Sequence, residues 1–175
     1  IHLTHFRQPR QGEGSHNGYL GLVEDARTEG IDVTFDCYPY PFSGTSVTIQ
    51  LPFWAKDGGP ERIMAALADP GDRKKMKRDM NSRSDIQDTW RERWLHNFRQ
   101  PQNEKYDGKS ISHIAEMREQ DPADALFDLL LEERLGISEV GTGTNAHTLP
   151  EFVSHPYGMI ASDAILFGEY PNPRT

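Results

Sequence analysis

Three short apolar runs in this chain each deliver a polar, chemically able side chain at or near their C-terminal tip. They are Leu3-Thr4-His5-Phe6-Arg7 near the start, Ile31-Asp32-Val33-Thr34-Phe35-Asp36-Cys37-Tyr38-Pro39-Tyr40 in the first third, and Met159-Ile160-Ala161-Ser162-Asp163 near the end. Buried parallel strands that end in functional residues are how α/β barrels build a site, at the C-terminal face of the sheet. The residues before the second run fit the same scheme. Tyr19, Leu20, Leu22, Val23 and Ala26 fall close to helical spacing. Gly30 supplies a C-terminal stop, and the β-branched and aromatic stretch Ile31–Cys37 follows. Helix, glycine, strand in that order is the second half of a βαβ unit and predicts a parallel sheet.

Length limits how much of a barrel this can be. The chain has 175 residues, enough for a domain with a real core, whereas a complete eight-stranded α/β barrel takes about 250. The expected fold class is therefore α/β, a partial (β/α) barrel of the TIM type with a mostly helical insertion. Residues 1–45 read as strand, helix and strand, residues 46–108 as the helical excursion, and residues 109–175 as a second barrel segment ending in the strand before Asp163. Within the excursion, Pro60–Leu67 and the stretch opened by Asp69-Pro70 read as helices. The basic run Arg73-Lys74-Lys75-Met76-Lys77-Arg78 reads as a solvated helix face rather than a binding patch. Trp90, Trp94 and Phe98, four residues apart, predict an amphipathic packing stripe on a helix. Two more helices are expected over Lys109–Glu119 and Asp121–Leu135, the second with Asp121 as N-cap and Pro122 at the first helical position.

Charge and composition remove several classes of partner. The net charge is −8 with no basic stripe, which argues against nucleic acid and anionic membrane. No apolar run reaches the length of a membrane span. Cys37 is the one cysteine, so there is no internal disulfide and no sign of an oxidising compartment, and a cytoplasmic location is expected. The chain starts at Ile1, inside what reads as a strand, and stops in the loop Pro171-Asn172-Pro173-Arg174-Thr175. Both ends read as cut, and a fragment of a longer protein is expected. The open sheet of such a fragment exposes strand edges and could form a homo-oligomer through them.

Two residues carry the leading chemistry. Zinc accepts a neutral imidazole nitrogen, and catalytic zinc sites use three protein ligands and an open position. His5, at a strand tip, is the leading ligand candidate, against the alternative of a structural or solvated histidine. His2 lies three residues away and faces the other side of a strand, unless the strand ends between the two. Asp163 can take a proton from an activated water and deliver it to a leaving amine; the competing reading is an N-cap for Ile165-Leu166-Phe167. Cys37 has no histidine near it in sequence and reads as a buried structural thiol. Gly108-Lys109-Ser110 is no phosphate loop, because position 103 is Asn and no strand precedes it.

Six pieces in order resemble the D-aminoacylases, N-acyl-D-amino-acid deacylases of the amidohydrolase superfamily. They are Thr4-His5-Phe6-Arg7, Glu29–Tyr40, Leu51-Pro52-Phe53-Trp54-Ala55 with Gly58-Gly59, Gly108-Lys109-Ser110-Ile111, Ser154–Asp163 and Pro171-Asn172-Pro173-Arg174. The series spans nearly all of this chain and corresponds to the C-terminal part of the family's catalytic barrel. The resemblance implies a zinc-bearing barrel of the metal-dependent hydrolase type, with residues 46–108 as a lid-like insertion. It also implies that His5 is the second of two metal-binding histidines on successive strand ends and that Asp163 is the catalytic aspartate. Arg7, Tyr38 and Arg174 then hold the substrate's α-carboxylate. Arg7 stands where many members have Lys; the charge is kept, but a planar fork binds carboxylate differently. Where the family usually has Ala-Gly-Ser-Thr, this chain has Phe42-Ser43-Gly44-Thr45, so the substrate-contacting hydroxyl is Ser43, Thr45 or absent. The family's early His-x-His pair, metal-binding Cys and first barrel histidine have no counterpart within these residues, and Cys37 does not replace them.

The implied activity is zinc-dependent hydrolysis of the amide bond of N-acyl-D-amino acids, with a small-molecule substrate. One histidine cannot supply a three-ligand site, so little or no activity is expected of this chain alone. Two other classes stay open: an amidohydrolase of cyclic amides such as hydantoins or dihydropyrimidines, and a non-catalytic half-barrel remnant. Cyclic amides lack a free α-carboxylate, which makes Arg7 and Arg174 harder to explain.

Overall fold

A computed structural model describes residues 1–8, 16–81 and 90–162. It is a mixed α/β structure that divides into two compact units, Ile1–Ser43 with Thr142–Thr175, and Gly44–Gly141. Among the described residues no helix is long and apolar enough to cross a membrane.

The first unit is built on a three-stranded parallel sheet of β1 (His2–Leu3), β2 (Thr34–Cys37) and β6 (Gly158–Ile160), in the order β1-β2-β6. The register sets His2 against Thr34 and Leu3 against Phe35, then Phe35, Asp36 and Cys37 against Gly158, Met159 and Ile160. Between β1 and β2 comes α1 (His16–Thr28). Its apolar residues Tyr19, Leu20, Val23 and Ala26 pack with Val33, Phe35, Cys37 and Phe152, the last from the short helix Leu149–Ser154 before β6. Alternation along β2 divides its two faces: Phe35 and Cys37 lie in this core, while Thr34 and Asp36 point to the other side. The expected glycine stop after α1 is there, with Gly30 at φ +85°. Arg27 fastens the helix end to the sheet: its guanidinium donates to Asp32 and to the Val33 carbonyl and lies over the Tyr157 ring, 3.8 Å from its centre.

The second unit is mostly helical. It contains α2 (Phe53–Lys56), α3 (Gly59–Ala68), α4 (Pro70–Asn81), α5 (Ile111–Arg118) and α6 (Pro122–Glu132). Associated with it is a sheet of β3 (Phe42–Ser46), β5 (Ser138–Thr142) and β4 (Arg93–His96), in the order β3-β5-β4. The core is set by α6, where Leu126, Phe127, Leu129 and Leu130 are buried with Met76 and Met80 of α4 and Ile111 and Ile114 of α5. Asp121 caps α6 as its sequence predicts, accepting the N–H groups of Ala123 and Asp124. The basic run on α4 lies on a solvent-facing side, as expected, with Lys74, Lys75 and Arg78 exposed, and some of its members also make contacts within the molecule. Arg73 pairs with Asp128 at 2.7 Å, Lys77 with Asp124 at 2.7 Å, and Lys75 covers the Trp54 ring at 3.9 Å. The carboxylate of Glu133 accepts the N–H groups of Arg99 and Gln100 and the amide of Asn103, tying the segment after β4 to the end of α6.

One expected helix is not formed. Trp90, Trp94 and Phe98 do not lie along a helical stripe; Trp90–Glu92 is a single 3₁₀ turn and Arg93–His96 is β4, antiparallel to β5. A spacing of four residues is an even number, so it suits one face of a strand as well as one face of a helix. Here pairing decides: β4 aligns Leu95 with Glu139, buries Leu95 fully, and is followed by Asn97 at φ +67°. The Gly/Thr-rich stretch after residue 138 is the partner strand. Trp54, Trp90 and Trp94 all belong to this second unit.

Candidate active site

The C-terminal ends of β1 and β2 hold the first group of sequence-predicted residues. β1 ends at Leu3, so the strand does stop between His2 and His5. His5 then adopts a left-handed backbone with φ +56°, a conformation that costs an L-residue roughly 1–2 kcal/mol. Its N–H donates to Asp36 Oδ1 at 2.9 Å, and the next N–H, of Phe6, donates to the Asp36 carbonyl at 2.8 Å. This turn sends neighbouring side chains in opposite directions. The Phe6 ring enters the core against Phe35, with ring centres 5.3 Å apart. The exposed His5 ring lies 5.3 Å from the centre of Tyr38, tilted by 52°.

Arg7 completes the cluster. Its guanidinium lies over the Tyr38 ring at 4.6 Å from the centre and donates to the His5 carbonyl at 3.2 Å. Tyr38 is buried and stacks on Tyr40 at 5.7 Å and 11°. The Tyr40 hydroxyl donates to the carbonyl of Ser162, and the Ala161 N–H donates to the Cys37 carbonyl at 3.1 Å. The aromatic pair after β2 is thus tied to the segment that follows β6. Asp163 and Arg174 lie outside the described residues. Ser43 sits in β3 with its hydroxyl against Gly143; a Cβ at Gly143 would come within 2.8 Å of it. The contacts therefore bring together His5, Arg7 and Tyr38, and place Ser43 beside Gly143.

Sequence reasoning missed Asp36. It is 8 % exposed, and its Oδ2 lies 2.8 Å from His2 Nε2, whose other ring nitrogen lies 2.8 Å from Thr34 Oγ1. Burial pushes the Asp36 carboxyl up, but the His5 N–H and the His2 ring outweigh it and hold the group below the ordinary carboxylate value. The signal was available: Thr34 and Asp36 alternate with Phe35 and Cys37, which puts a carboxylate on the face away from the core. Burial, helped by the charge of Asp36, pushes the Cys37 thiol up; fully buried and held protonated, it is no nucleophile.

The donor set can be tested against zinc. An exposed imidazole at a strand end fits one position of such a site. Among the described residues no group of three His, Cys, Asp or Glu side chains is placed to hold a metal ion.

The backbone strain at His5 gives a direct test. His5→Gly is expected to raise the stability of the chain by up to about 1 kcal/mol, because glycine adopts a positive φ without penalty. Urea denaturation measures this; a loss of stability would mean that the ring contact with Tyr38 outweighs the strain.

No protein-family model matches the chain, and no curated protein matches its sequence. Solved structures do. The N-acyl-D-glutamate deacylase of Bordetella bronchiseptica, complexed with zinc and a phosphonate that mimics the tetrahedral reaction intermediate, superposes with a TM-score of 0.53 at 18% identity over 93% of this chain. A D-aminoacylase described as defining a novel subset of amidohydrolases superposes with a TM-score of 0.50 at 13% identity, again over 93% of the chain. The chain has the fold of part of a D-aminoacylase. It spans about a quarter of the length of these enzymes, 26% of the first and 25% of the second. A further D-aminoacylase structure concerns a binuclear metal centre with one-metal activation and second-metal attenuation.

Proposed function

We propose that this chain is a partial (β/α) barrel, the C-terminal part of the catalytic barrel of a zinc-dependent amidohydrolase that works in the cytoplasm and cleaves the amide bond of N-acyl-D-amino acids. The observation that carries the reading is the convergence of His5, Arg7 and Tyr38 at the C-terminal ends of β1 and β2, in a fold shared with D-aminoacylases. In this reading residues 46–108 act as a lid-like insertion.

The roles follow from the chemistry of each group. His5 would hold zinc together with ligands from outside the described residues; when bound, the metal supplies Lewis-acid polarisation of the scissile carbonyl. Asp163 takes a proton from the attacking water and delivers it to the leaving amine nitrogen. Arg7, with Tyr38 beneath its guanidinium and Arg174 as a second cation, binds the α-carboxylate and fixes the configuration at the neighbouring carbon. Ser43 adds a hydroxyl for the substrate's polar atoms.

In the protein that carries this chain, Asp163→Asn is expected to lower kcat on N-acetyl-D-amino acids by roughly 10²–10⁴-fold, with bound zinc unchanged by elemental mass spectrometry. Unchanged turnover would overturn the assignment of Asp163. Parallel assays on the L-enantiomers and on dihydrouracil separate the linear D-substrate from the cyclic-amide alternative.

A further inference from the structure

We infer that Asp36 is the positioning residue that holds His5 in its left-handed turn and so aims its imidazole at the site. The inference rests on the reading of His5 as a functional group and adds a residue to it. Three atoms of Asp36 grip the end of β1: Oδ1 accepts the His5 N–H at 2.9 Å, its main-chain oxygen accepts the Phe6 N–H at 2.8 Å, and Oδ2 meets His2 Nε2 at 2.8 Å. Two consecutive N–H groups anchored on one residue leave the peptide between them little freedom. That constraint falls on the position whose φ is +56°, where a residue with a Cβ relaxes toward negative φ unless the surroundings prevent it.

The carboxylate is itself held. His2 bridges Thr34 Oγ1 and Asp36 Oδ2, at 2.8 Å each, so a row of hydrogen bonds runs Thr34–His2–Asp36–His5 across β1 and β2. With Nε2–H donating to the carboxylate, Nδ1 is left to accept from the threonine hydroxyl. The row lies on the face of β2 away from Phe35 and Cys37, so it contributes nothing to the apolar packing of that core. Its effect falls on where the exposed His5 ring goes, beside Tyr38 and away from the core.

The test is NMR of the isotope-labelled 175-residue chain. In the unmodified chain a scalar coupling across the hydrogen bond is expected between the His5 amide nitrogen and the Asp36 carboxylate carbon. Asp36→Ala should speed His5 amide exchange by roughly tenfold or more, the loss of a hydrogen bond to a charged group, and should move the ring signals of His5 away from their Tyr38-shifted positions. Asp36→Asn keeps an oxygen for the His5 N–H and should restore both, which a general loss of packing would not show. Absence of the coupling, or exchange and ring shifts left unchanged by Asp36→Ala, would overturn the inference. The coupling needs no variant, so it decides even if Asp36→Ala does not fold. Zinc content of the protein that carries this chain, left unchanged by His5→Ala, would instead remove the metal reading, with the hold of Asp36 on His5 still judged by exchange.

Discussion

Phe35→Ala is expected to lower the stability of the first unit by roughly 3–5 kcal/mol. Phe35 is 0 % exposed and sits at the middle of the parallel sheet. Its ring meets Phe6 at 5.3 Å, Phe152 at 6.1 Å and His155 at 5.4 Å, so one side chain joins the end of β1, the helix before β6 and β6 itself. The backbone of β6 packs directly against the ring. Gly158 is already so close that a Cβ there would come within 3.0 Å of the Phe35 ring and 2.8 Å of the Phe152 carbonyl. Urea denaturation followed by far-ultraviolet circular dichroism reads the loss. Phe35→Leu, which keeps most of the volume, should cost distinctly less; equal losses would mean that the aromatic contacts, not the filled volume, set the stability.

The second large effect lies in the other unit. Glu139 is 1 % exposed in β5. The amide of Gln50 donates to both its carboxylate oxygens, at 2.8 and 2.9 Å, and Arg93 Nη1 donates to Oε1 at 2.8 Å. Glu139→Ala removes the acceptor for both and leaves a guanidinium and a buried amide without it, a change worth roughly 3–5 kcal/mol. Glu139→Gln keeps the shape and one acceptor oxygen and should cost less. The pH dependence gives a further check. Burial raises the Glu139 carboxyl above its ordinary value of 4.5, with Arg93 and Gln50 opposing it. The folded state thus favours the proton. The stability this confers is fully present below 4.5 and is lost as pH rises through the raised folded value. The stability of the unmodified chain relative to Glu139→Gln should therefore fall with rising pH across that window. A relative stability that rises instead would show that the ion pair with Arg93 outweighs burial.

What the sequence disclosed and what it hid divide along physical lines. Local signals held: Gly30 closing α1, the apolar β2 that follows it, and Asp121 and Pro122 opening α6 were readable because each depends on residues adjacent in the chain. The parallel pairing of β1 with β2 followed from the order of helix, glycine and strand. Trp90, Trp94 and Phe98 misled because their spacing satisfies two periods, and the choice between them was made by β5, more than forty residues away. The site divides the same way. His5 stood out at a strand tip, while Arg7 and Tyr38 were pointed to only by the resemblance to D-aminoacylases. Asp36 did not stand out, since its part depends on contacts 31 and 34 residues distant in sequence, to His5 and His2. The left-handed turn at His5 carries no glycine to announce it.

The placement of the tryptophans has an optical consequence. All three lie in the Gly44–Gly141 unit, while His5, Arg7, Tyr38 and Ser43 lie in the other. Intrinsic emission excited at the indole band therefore originates in that unit, and the unit that carries the candidate site holds no indole of its own. A single tryptophan introduced at Tyr157, beneath the Arg27 guanidinium, would supply one there.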